Sequence, residues 1–80
     1  MSDKRFTKPV RIKLGAVRNV MSTREAVDLL MSVHWPGERG PKHHEARDIC
    51  LKALDGYRST AEARHAFIEA AREAGMLVDS

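Results

Sequence analysis

What this sequence has little of narrows its biology before any motif is read. It has one cysteine, Cys50. Secreted domains of this size lean on several disulfides, so a lone thiol points to a reducing compartment, the cytoplasm by default. No apolar run approaches the roughly 20 residues needed to span a bilayer, which excludes a membrane helix. The opening Met1-Ser2-Asp3-Lys4-Arg5 is polar and leads into no apolar stretch, so no signal peptide is expected. Four aromatics, Phe6, Trp35, Tyr57 and Phe67, leave few platforms for stacking nucleobases. The GxSxG elbow, the P-loop and the GxGxxG fingerprint are absent as well.

What is present describes one folded domain. The hydrophobic share of 42% and charged share of 31% suit a globule and are too apolar for a disordered chain. With 80 residues the chain buries only about 60% of its unfolded surface, so every element must share one core. The net charge of +3 is unevenly spread. Residues 1–24 carry seven basic side chains against Asp3 alone, and the remainder carries seven against ten acids. Such asymmetry predicts an electrostatic face.

Along the chain, residues 1–8 read as a flexible basic arm with Phe6 as its anchor, and residues 9–80 as a single α+β domain. Val10-Arg11-Ile12-Lys13-Leu14 alternates apolar with polar, the period of a strand with one buried face. Gly15-Ala16 reads as a type II′ turn, and Val17 to Met21 as the returning strand. Pairing Leu14 with Val17 would turn Asn19 inward, so a bulge or a longer turn is expected, bringing Val20 to the core. With Leu14 opposite Val17, Lys13 would lie opposite Arg18 as a like-charge pair on an exposed face.

Ser22-Thr23-Arg24-Glu25 has the form of a capping box opening a first helix. Ala26, Val27, Leu29, Leu30, Met31 and Val33 give that helix a broad apolar face, and Trp35-Pro36-Gly37 stops it. Pro41 suits the first turn of a second helix. In it Ala46, Ile49, Cys50, Ala53, Leu54 and Tyr57 form one stripe, with Gly56 as the C-terminal cap. Ser59-Thr60-Ala61-Glu62 opens a third helix whose alanines (Ala63, Ala66, Ala70, Ala71 and Ala74) imply close helix packing around Phe67. Met76-Leu77-Val78 either clamps onto the glycine cap at Gly75 or adds a short C-terminal strand. The expected architecture is a two-layer ββααα domain.

These landmarks resemble a family of small bacterial proteins, the domain of unknown function 982 family. The likeness is carried by Arg5-Phe6-Thr7-Lys8-Pro9-Val10 and Ser22-Thr23-Arg24-Glu25-Ala26. Trp35-Pro36-Gly37, the stretch from Gly40 to His43, Ala66-Phe67-Ile68, Ala70-Ala71 and Gly75 continue it, over roughly residues 5–78. The resemblance implies a fold. It brings no catalytic residue, cofactor or partner.

Candidates for chemistry are sparse. His34, His43, His44, His65 and Cys50 offer metal ligands, and His44 with Asp48 shares a helix face. Two ligands fall short of a structural zinc site, so the histidines read as solvated and no metal or cofactor is expected. Cys50 lies on the apolar stripe, where thiols are inert packing. Ser22 and Ser59 are spent as caps, and Glu69 with Glu73 reads as a solvated face, so no enzymatic activity is expected. Lys4, Arg5, Lys8, Arg11, Lys13 and Arg18, with Trp35, form the candidate binding surface. The favoured reading is a non-catalytic protein-binding or self-associating domain, either a homodimer or the receiver of a partner strand at the hairpin edge. The alternative is a nucleic-acid-associated protein contacting phosphates through residues 4–18. Trp35 is either an interface anchor or a cover for the core.

Overall fold

The computed structural model describes residues 4–78, and the chain forms an antiparallel β-hairpin followed by three helices, ββααα. The elements are β1 (Arg5–Leu14), β2 (Ala16–Ser22), α1 (Thr23–Leu30), α2 (Pro41–Leu54) and α3 (Thr60–Glu73). Val10, Ile12 and Val20 line the buried face of the hairpin and meet Phe67, Leu30 and the small residues of the helices in one core. Alanines do set the α2–α3 packing: Ala46, Ala53, Ala63, Ala66 and Ala70 are all buried.

The hairpin turns more tightly than a two-residue loop. Leu14 pairs with Ala16, Ile12 with Arg18 and Val10 with Val20, leaving only Gly15 between the paired strands. Gly15 stands at φ 76°, a backbone state that glycine adopts without steric cost. Val20 therefore reaches the core, but through a shorter turn rather than a longer one. The same register undoes the expected like-charge pair. Lys13 faces Val17, while Arg18 lies opposite Ile12 on the other side of the sheet.

The irregularity in the ladder falls at the far end, between Arg5 and Val10, where Arg5 pairs with Ser22. Pro9 has no N–H to give the ladder. The surplus residues of β1 let Phe6 turn into the core. Residues 5–8 are thus strand rather than arm. Residues 1–3 of the expected arm lie outside the described residues.

The C-terminal segment plays both expected roles. The N–H groups of Gly75 and Met76 cap α3 by donating to the carbonyls of Arg72 and Ala71, the Schellman arrangement. Leu77 then bridges Ile12, with Lys13 N–H donating to Met76 O at 2.7 Å and Val78 N–H to Arg11 O at 2.9 Å. β1 is covered on both edges. β2 is not.

Three burial expectations fail, each for a local reason. Helix α1 ends at Leu30, leaving Met31 and Val33 exposed in the loop that must reach Pro36. Tyr57 is 80% exposed because the glycine cap at Gly56 turns the chain away before the stripe reaches it. His43, expected in solvent, is fully buried.

Candidate functional site

Helix ends must find partners for their unpaired backbone groups. In this chain α1 and α3 are capped at their starts by their own serines, whereas the start of α2 and the end of α1 are served by another helix. Helix α2 begins at Gly40, which has no side chain to cap it, and its first turn holds no acid. Glu73, on the last turn of α3, fills that role: its carboxylate accepts from Lys42 N–H at 3.1 Å and His43 N–H at 3.3 Å. A Cβ on Gly40 would stand 2.8 Å from a Glu73 carboxylate oxygen, so the bare glycine is what admits the acid.

His43 passes the same service to α1. Its Nε2 lies 2.7 Å from the carbonyl of Leu30, the last residue of that helix. A carbonyl only accepts, so Nε2 carries the proton and donates it. Nδ1 is buried without a hydrogen-bond partner among the described residues. The ring packs edge-on against Trp35 at 5.3 Å, and Trp35 in turn meets Phe67 at 6.0 Å. Trp35 is only 5% exposed, which removes it from the candidate binding surface and makes it the lid of the core. Glu73 is likewise a cap rather than one half of a solvated carboxylate pair. Sequence reasoning missed this junction, although one signal was available: a helix opening Gly40-Pro41 with neither capping side chain nor acid needs an acceptor from elsewhere.

Cys50, Ser22 and Ser59 are engaged in structure. Cys50 is fully buried, its Sγ lies 3.5 Å from the Ala63 carbonyl, and burial pushes its thiol up to about 12. A thiol so placed stays protonated and is a poor nucleophile at neutral pH. Ser22 and Ser59 accept from Glu25 N–H and Glu62 N–H as helix caps. The Glu62 carboxyl is held below its ordinary range, first by the Ser59 backbone N–H and then by Arg58. No group of three or more metal-ligating side chains gathers among the described residues.

The six candidate cations do not share one face. Arg11 and Lys13 occupy the open side of β1, beside Asn19 and Val17. Arg18 lies across the sheet and lines a groove between β2 and α1 with Glu25, Asp28 and Leu29. Arg5 pairs with Ser22 at the base of the hairpin. The backbone carbonyls of Lys4 and Lys8 are used internally, accepting from Thr23 and from Arg64 Nε. What the structure does assemble is the free flank of β2. Lys13 N–H and Arg11 O point to the C-terminal segment, so Val10, Ile12 and Leu14 bond to β2 and the backbones of Val17, Asn19 and Met21 face outward. Val17 and Met21 are 52% and 41% exposed, and the groove of about 460 Å³ below them lies between strand and helix.

No curated protein and no solved structure matches this chain. The family model described as "Protein of unknown function (DUF982)" matches residues 8–78, nearly the whole length, and the chain belongs to that family.

Proposed function

We propose that this protein is a non-catalytic interaction domain that self-associates through β2. The observation that carries the reading is the edge of β2 that no strand among the described residues covers, flanked by exposed Val17 and Met21. An edge of this kind accepts another strand through its outward backbone groups. A second copy of β2, antiparallel and centred on Asn19, would set each Val17 against Met21 of the other copy. Arg18 would then face Val20 of the other copy rather than another arginine, so the pairing carries no like-charge penalty. Met21 N–H already donates to Glu25 at 3.0 Å, so the register rests on Asn19 and on Val17 N–H. The result is a four-stranded sheet.

The buried, protonated Cys50 suits a reducing compartment and supports placing this work in the cytoplasm. No helix among the described residues is long and apolar enough to cross a membrane. The nucleic-acid reading through residues 4–18 has less support, because Arg18 leaves the face that Arg11 and Lys13 share.

Sedimentation velocity tests the proposal. We expect a species of twice 9.0 kDa that Val17→Lys combined with Met21→Lys returns to monomer with an unchanged circular dichroism spectrum. A wild-type chain still monomeric near about 1 mM, where association is worth only about 4 kcal/mol, would refute self-association.

A further inference from the structure

On the side of the sheet edge away from β2, the C-terminal segment and α3 close a second cleft against β1. It holds about 220 Å³ and is lined by Arg11, Arg64 and Arg72 together with Pro9, Ile68 and Leu77 among others. No aspartate or glutamate among the described residues lines it. Arg64, Ile68 and Arg72 recur at every fourth position of α3 and so share one helix face. Arg64 is held in place, its Nε donating to the Lys8 carbonyl at 2.9 Å, which leaves its terminal amino groups for another acceptor. Arg11 has no ion pair among the described residues. Arg72 reaches Glu69 only at 3.7 Å, with its own side chain largely exposed, a contact worth little in water.

We infer that this cleft binds a phosphate monoester carrying a small apolar group. Guanidinium forks match phosphate oxygens in geometry and in charge. Three of them, opposed among the described residues only by the loose Glu69 contact to Arg72, favour a dianion over a single carboxylate. The apolar wall of Pro9, Ile68 and Leu77 supplies a seat for what the phosphate is attached to. The volume is below that of most ligand pockets, so the occupant is small.

Titrating the labelled full chain with phenyl phosphate at fixed ionic strength, followed by amide NMR, tests the site. Inorganic phosphate and benzoate serve as the comparison probes. The expected result is saturable shifts around Arg11, Arg64, Arg72 and Leu77. Phenyl phosphate should bind more tightly than either comparison probe. Arg72→Gln should weaken it about tenfold, whereas Arg58→Gln, at the other end of α3, leaves it unchanged. Shifts that grow linearly without saturating, benzoate binding as tightly as phenyl phosphate, or an indifferent Arg72→Gln would each overturn the inference.

Discussion

Replacing His43 separately by glutamine and by asparagine asks which of its two ring nitrogens holds the helix junction together. A glutamine amide nitrogen falls near the place of Nε2, and an asparagine amide near that of Nδ1. His43→Gln thus keeps a donor for the Leu30 carbonyl, which lies 2.7 Å from Nε2, and loses chiefly the ring contact with Trp35. An aromatic contact of that kind is worth about 0.5–1.5 kcal/mol. His43→Asn loses the contact and also strands a buried carbonyl, which adds about 1–3 kcal/mol. In a domain whose whole stability is on the order of 4–12 kcal/mol, that difference is large. Each kcal/mol moves the midpoint of a chain this size by about 4–8 °C. Thermal melting by circular dichroism, with urea titration of the sole tryptophan as a second probe, reads both variants. The asparagine variant should melt well below the glutamine one. Equal midpoints, or a more stable asparagine variant, would show that the bond to Leu30 does not hold α1 in place.

The other end of the relay and the buried thiol give further expectations. Glu73→Ala removes both acceptors from the start of α2 and should cost about 1–2 kcal/mol in urea unfolding, while Glu69→Ala changes stability by no more than about 0.5 kcal/mol. Gly40→Ala pushes the same carboxylate aside, so its effect and that of Glu73→Ala should sum to less than their separate costs; full additivity would contradict the contact. Cys50 should resist thiol reagents at pH 8 until the chain unfolds. Its folded pKa of about 12 lies above the ordinary value of 9.0, so between those values the unfolded chain releases a proton that the folded one keeps. Stability attributable to Cys50 is therefore complete below pH 9 and falls as pH rises toward 12, by up to about 1.4 kcal/mol per pH unit. The difference between wild type and Cys50→Ala isolates that slope, and parallel stability curves would count against the burial of the thiol.

Local signals made most of the architecture legible. Ser22 with Glu25 and Ser59 with Glu62 mark helix starts because each cap is made within four residues. The alternation from Val10 to Leu14 marks a strand because its period belongs to the backbone alone. Register was less accessible, since the choice between a turn of one residue and a turn of two shifts every partner while leaving the pattern of each strand intact. The candidate site suffered from this most: Lys13 and Arg18 were expected face to face and stand on opposite sides of the sheet.

Element types, their order and the serine caps of α1 and α3 were decided by the sequence itself, because they depend on neighbours within a turn or two. The fate of His43, Trp35, Glu73 and the Arg11–Arg64–Arg72 cluster was decided only by the tertiary structure. Each depends on a partner between 8 and 61 positions away along the chain, as the pairs Trp35–His43 and Arg11–Arg72 mark out. No local periodicity encodes contacts of that range. They form when the core draws three helix ends and one strand edge together.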